Sequence, residues 1–254
     1  MSLARTALRL QAIEALNAEP VICALVQGRC FDSRIGAIDH REPVPVILVT
    51  TEETKGDAWE RQNGGGTFAQ SCDLVLEVAM NLVEGADDDL TIGVVSTDRE
   101  LEACLDLIEE HAILALTDAP SSAAKLLRTN VVRRVSKFAS ARFATDQTGE
   151  KLAIRLLTLT VELFTYEPDD PFDLIEGPFA ALPEPLRTIA AALPAGSARE
   201  TCAQLAARLT APAPPPLPGF TGADLVFAPQ VGAGPPDRTD DIAADRVVRD
   251  AVHV

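Results

Sequence analysis

The side chains best suited to chemistry in this chain are three histidines, five cysteines, one triple glycine and one triple aspartate. His40, His111 and His253 stand too far apart in sequence to form a metal cluster by local spacing. Cys30 and His40 would make a thiol and a base, but no local signature of a cysteine nucleophile surrounds them. Gly64-Gly65-Gly66 has the flexibility of a phosphate-cradling loop. It lacks the GK[ST] ending, and a strand-like run rather than a helix follows it, so a flexible loop is expected. Asp87-Asp88-Asp89 could gather calcium, yet the alternating ligands and central glycine of an EF-hand loop are missing, and a solvated turn is expected. The cysteines, Cys23, Cys30, Cys72, Cys104 and Cys202, are odd in number, without a CxxC pair and set among apolar residues. That pattern predicts small buried hydrophobes in a reducing compartment rather than a disulfide framework. No catalytic residue, cofactor site or metal site is assigned, and the expectation is a protein that is not an enzyme.

Charge offers a different kind of chemistry, that of association. The chain carries a formal charge of −16, which repels phosphate backbones and anionic membranes alike. Against this background Lys125, Arg128, Arg133, Arg134, Lys137, Arg142, Lys151 and Arg155 share their segment with only Asp146 and Glu150, so eight minus two gives +6 locally and leaves −22 elsewhere. Three readings stay open: docking on an acidic copy of the same chain, contact with passing DNA, or a strand edge kept solitary by charge. Trp59 lies in a polar stretch, where it either marks a contact surface or folds back on the core. Arg128, Arg133, Arg134, Lys137, Arg142 and Trp59 are therefore the candidate interface residues. With one tryptophan and one tyrosine in the chain, stacking of single-stranded nucleic acid is not expected.

The elements that must position these residues are legible in the apolar spacing. A composition 47% hydrophobic over 254 residues is enough for one large or two small cores, and no run approaches the ~20 apolar residues of a membrane span. The N-terminus has no secretory-signal pattern. Leu3, Ala7, Leu10, Ile13 and Leu16 form the stripe of an amphipathic N-terminal helix. Residues 21–34 and 43–51 are rich in β-branched and apolar residues and predict two strands joined by a loop around Asp39 and His40. Residues 54–66, polar and ending in the three glycines, predict a mobile hairpin loop, and alternation over 67–83 predicts a long strand. Thr97 followed by Glu100 predicts a capped helix, its buried face built from Leu101, Leu105, Ile108, Ala112 and Ala115. Its other face, Glu102, Asp106, Glu109 and Glu110, is expected to be a solvated surface. Residues 131–144 and 150–166 predict a hairpin turning at Asp146–Gly149, with the second strand central because it is apolar on both faces.

These elements predict an α+β fold, a mainly antiparallel sheet with an N-terminal helix and one or two helices packed on one face. Three regions are expected: a domain over residues 1–167, a short helical extension over 168–210 with helices near 184–192 and 197–209, and a Pro-rich spacer and tail over 211–254.

The order of features resembles that of the tail-terminator (tail-completion) proteins of long-tailed phages and related gene-transfer particles. It is carried by the N-terminal helix with Arg5 and Leu10, by Val21-Ile22, and by Gly28-Arg29-Cys30-Phe31-Asp32-Ser33-Arg34, which is similar to that family's "GR-V-F-D-S-R" strand end. Pro45-Val46-Ile47-Leu48-Val49-Thr50, a polar loop, a long strand near Cys72–Val83, a helix and a closing strand Leu159–Tyr166 continue the pattern. The resemblance covers residues 1–167, in strand patterns rather than catalytic signatures. It implies a virion subunit, assembled in the host cytoplasm, whose hexameric ring caps the tail tube, stops tube polymerisation and offers a surface to the head–tail connector. Its implied partners are its own copies, the tail-tube protein and the connector, with DNA passing through the lumen unread and no membrane. Other head–tail connectors, tail-tube components and acidic adaptor modules remain as alternatives, and residues beyond 168 depart from the simpler members.

Overall fold

The computed structural model describes residues 2–33, 44–58, 68–82, 97–145, 151–167, 169–170 and 174–210. The chain folds as an α+β protein. Helix α1 (Ser2–Asn17) forms where predicted, but its buried face is shifted: Ala7, Leu10 and Leu16 of the stripe are buried together with Leu8, Ala12 and Ala15, while Leu3 and Ile13 are only partly buried.

Residues 20–26, expected as the start of a strand, instead form helix α2 (Pro20–Val26). The Glu19 carboxylate accepts the Val21 N–H, Pro20 occupies the first turn where its missing N–H costs nothing, and left-handed Gln27 and Gly28 end the helix. A short apolar run does not distinguish helix from buried strand by itself, and here the capping residues settle it. Only β1 (Cys30–Asp32) remains of the expected first strand.

Strand β2 (Val46–Ala58) begins as predicted but continues through Thr54–Ala58, residues expected in a mobile loop. Those residues pair with Phe68–Cys72 of β3 (Phe68–Leu82), so a partner's ladder makes a strand of a polar sequence with no buried side chain of its own. Helix α3 (Asp98–Thr117) carries the full capping box, Thr97 Oγ1 accepting from Glu100 N–H and the Glu100 carboxylate from Thr97 N–H. Helix α4 (Ser122–Asn130), capped by the Ser121 hydroxyl, is an element that the strand-centred expectation lacked. The hairpin strands are β4 (Val132–Thr145) and β5 (Lys151–Leu163).

The sheet runs β1-β2-β3-β5-β4, antiparallel throughout except for the β1–β2 pair. Strand β5 has a ladder on both sides, as its doubly apolar middle predicted. Directly paired residues share a face, so Leu74, Leu76 and Met80 align with Leu159, Leu157 and Ala153 beneath the helices. Helices α1, α3 and α4 all touch the sheet, the N-terminal helix and two others, as expected.

Helices α5 (Leu186–Ala192) and α6 (Ser197–Leu209) fall at the predicted positions. They do not form a separate extension, because Leu186, Ile189, Ala190, Cys202 and Ala206 join the common core and α5 packs on α1. The compact unit runs to Thr210, not to residue 167. Residues 211–254, expected as a Pro-rich spacer and tail, lie outside the described residues, as do the loop at Asp39 and His40 and the turn at Asp146–Gly149.

Candidate protein–protein interface

Strand β4 holds four of the six candidate interface residues. It pairs with β5 on one side, and no described strand lies on the other. Four cations (Arg133, Arg134, Lys137, Arg142) and no acid give it +4 over Val132–Thr145. Every residue from Arg133 to Phe143 is exposed except Val135, and Phe138 and Phe143 remain 66% and 55% accessible. Two register irregularities, between Val132 and Arg134 and between Val135 and Lys137, twist its first half.

Folding divides the cations into two groups. Arg142 donates through Nε to Glu102 of α3, and Ser140 Oγ donates to Glu109 Oε2 at 2.7 Å. Arg155, in register with Val78 on the helix-covered face, donates through Nη2 to Asp106 Oδ1 at 2.6 Å and to Glu102 Oε2 at 3.2 Å, and Nη1 lies 3.6 Å from Glu109 Oε2. The acidic side of α3, expected to be solvated, is therefore the counter-charge of β4 and β5. Arg134 donates to the Glu162 carboxylate on the next strand, and that hydrogen bond holds Glu162 below its ordinary carboxylate range. Arg128 donates to Ala119 O, in the connection between α3 and α4, at 2.9 Å. Among the described residues Arg133 and Lys137 form no ion pair, although the charge of Arg133 also acts on Glu162. The +6 segment thus presents far less open charge than its composition implies. Trp59 lies outside the described residues.

Spacing along the chain could not show these pairings, since Glu102 and Arg155 are 53 residues apart. The alternation of β4 placed Arg142 toward one face, but only the helix above decided what it would meet.

The remaining chemical candidates are occupied in the framework or undescribed. His111 Nδ1 lies 2.6 Å from Glu19 Oε1, tying α3 to the start of α2, and Glu19 is almost fully buried. His40, His253, the glycines at 64–66 and the aspartates at 87–89 lie outside the described residues. Among the described residues no group of three His, Cys, Asp or Glu side chains is arranged to hold a metal, and no helix is long and apolar enough to cross a membrane. Burial, with a smaller contribution from Cys23, pushes the Cys30 thiol up to about 12. Burial also raises Cys72, where the Thr54 hydroxyl 3.4 Å from its sulfur acts in the opposite direction, and raises Cys104 and Cys202. Since the thiolate is the reactive form, iodoacetamide at neutral pH should label exposed Cys23 first. Cys30, Cys72 and Cys202, all buried, should react only after unfolding, as peptide mass spectrometry would read.

Compared with known families and with curated proteins, the chain matches no family model and no curated protein.

Proposed function

We propose that this chain is a structural assembly subunit, a tail-terminator-like protein that forms a ring at the head-proximal end of a phage tail and performs no reaction. The observation that carries the reading is the solvent-exposed cationic edge β4, with Arg133 and Lys137 outside any ion pair among the described residues, on a chain whose formal charge is −16. A positive edge on an acidic molecule favours head-to-tail contact between unlike surfaces, and such heterologous contacts close into rings when the rotation between neighbours permits. The order of elements along residues 1–167 supports the same reading.

In that role a closed ring ends tube growth because it leaves no free edge for another subunit, and its far surface is available to the connector. The acidic charge repels DNA passing through the lumen, so passage needs no sequence recognition. The working location is the virion, reached after assembly in the host cytoplasm.

Negative-stain microscopy of the full chain, alone and with purified tail tubes, tests the proposal. Rings of six with a central hole, or caps at one tube end, are expected. A chain that stays monomeric at high concentration and leaves tubes bare would overturn it.

A further inference from the structure

A ring closed by heterologous contacts needs a surface that receives β4. Resting on the ring reading, we infer that the cationic edge of β4 docks on the distal part of β2 in a second copy of this chain, with Lys137 meeting Glu52 and Glu53.

Strand direction is compatible with this contact. The four long strands β2, β3, β5 and β4 alternate in direction without exception. A copy related by rotation about an axis near the strand direction keeps its strand directions, so β4 of one copy and β2 of the next run antiparallel.

Strand β2 also has room. Strand β1 covers its outer edge only at Ile47, Leu48 and Val49, which leaves Thr50–Ala58 without a described strand on that side. In this stretch Glu52, Glu53 and Asp57 against Lys55 give three minus one, a net −2, and residues 52–58 are all exposed.

Lys137 stands at the level of the β2 acids, whereas Arg133, beyond Arg134, falls near Lys55 and Gly56. Lys137 pairs with Thr160 and Thr160 with Asp73. Asp73 lies between the β3 residues that face Thr51 and Thr54, so Glu52 and Glu53, in that irregularity of β2, occupy the row of Lys137. The row of Arg134 ends at Lys55, but both are already matched within one copy, Arg134 by Glu162 and Lys55 by Glu53 at 3.1 Å. The bulges in β4 interrupt a continuous ladder at this level, so side-chain charge rather than backbone hydrogen bonding carries the contact. Pairing β4 with β4 of another copy would set +4 against +4 and is disfavoured.

The test uses two full-length variants and their mixture. K137E reverses the β4 charge at this level, and E52K/E53K reverses the β2 edge. Each alone confronts like charges at every contact and should weaken self-association at low salt by about tenfold or more, as sedimentation reads. Mixed one to one, each reversed edge meets its opposite and each native edge meets a native one, so alternating assemblies should return to the wild-type association. A mixture as dissociated as its components, beside a wild type that assembles, would overturn this pairing and leave the ring reading standing. Variants that assemble like the wild type would overturn it too. A wild type that assembles neither alone nor on tubes would overturn the ring reading itself, and the pairing with it.

Discussion

Replacing Arg155 with alanine should cost about 3 kcal/mol of stability, the lower end of what breaking a buried ion pair costs, and should lower the melting temperature by about 6–12 °C. The Arg155 side chain is only 16% exposed and its guanidinium lies between three carboxylates of α3. Without it, Glu102, Asp106 and Glu109 crowd one side of the helix, and Arg142 reaches only Glu102. The loss is twofold, since the attraction that fastens α3 to β5 disappears and neighbouring like charges lose their neutralising centre. Because Arg155 and Glu109 are each only 16% exposed, although Asp106 is open to solvent, salt should reduce the effect only partly. Arg155→Lys should recover a fraction, since a single ammonium cannot bridge three acceptors as a planar fork does. Thermal unfolding followed by circular dichroism reads both variants, and a loss below ~1 kcal/mol for the alanine would mean that α3 is held by its apolar face alone.

Leu76→Ala should destabilise by a similar amount, about 3 kcal/mol within the 2–5 kcal/mol range for emptying a core leucine site. Leu76 is fully buried at the middle of β3, between Val49 and Leu157 in register, and packs into the core shared by the sheet and the helices. A strand with a ladder on both sides has little freedom to collapse into the space left behind. The denaturant midpoint should fall with an unchanged slope, because the surface exposed on unfolding barely changes. Leu114→Ala on the outer side of α3, where the side chain is 40% exposed, is the control and should cost less than about 0.5 kcal/mol.

These two sites differ in how visible they are from the chain alone. Leu76 follows from alternation, since a strand that buries one face must place every second residue there. Arg155 sits in the same kind of strand, at a core-facing position between Ala153 and Leu157, and its burial is tolerable only because α3 supplies acid above it. Local pattern identified the strand and local pattern identified the acidic helix face, but no local signal linked them. Ignoring that link overstates the open charge of the 125–155 segment, because Arg134, Arg142 and Arg155 are each matched by a carboxylate once the sheet and α3 come together.

The same limit explains the two element corrections. In α2, the capping residues Glu19 and Pro20 outweighed the β-branched composition that suggested a strand. In β2, residues 54–58 have nothing to bury, yet the long β3 beside them provides hydrogen-bonding partners. That extension puts Asp57 on an exposed strand, in line with Glu52 and Glu53, at a position where the polar sequence predicts a loop.

By itself the sequence determined the class of fold, the helices α1, α3, α5 and α6, the long strands and the central place of β5. Each depends on periodicity or capping within a short window, and burial of an apolar face is enough to enforce it. Only the tertiary structure decided which cations lack an ion pair among the described residues, that α5 and α6 pack into the core, and that Lys137 of β4 stands level with Glu52 and Glu53 of β2. Those properties depend on register and on contacts between residues far apart in the chain, where electrostatics acts through space and not along the backbone.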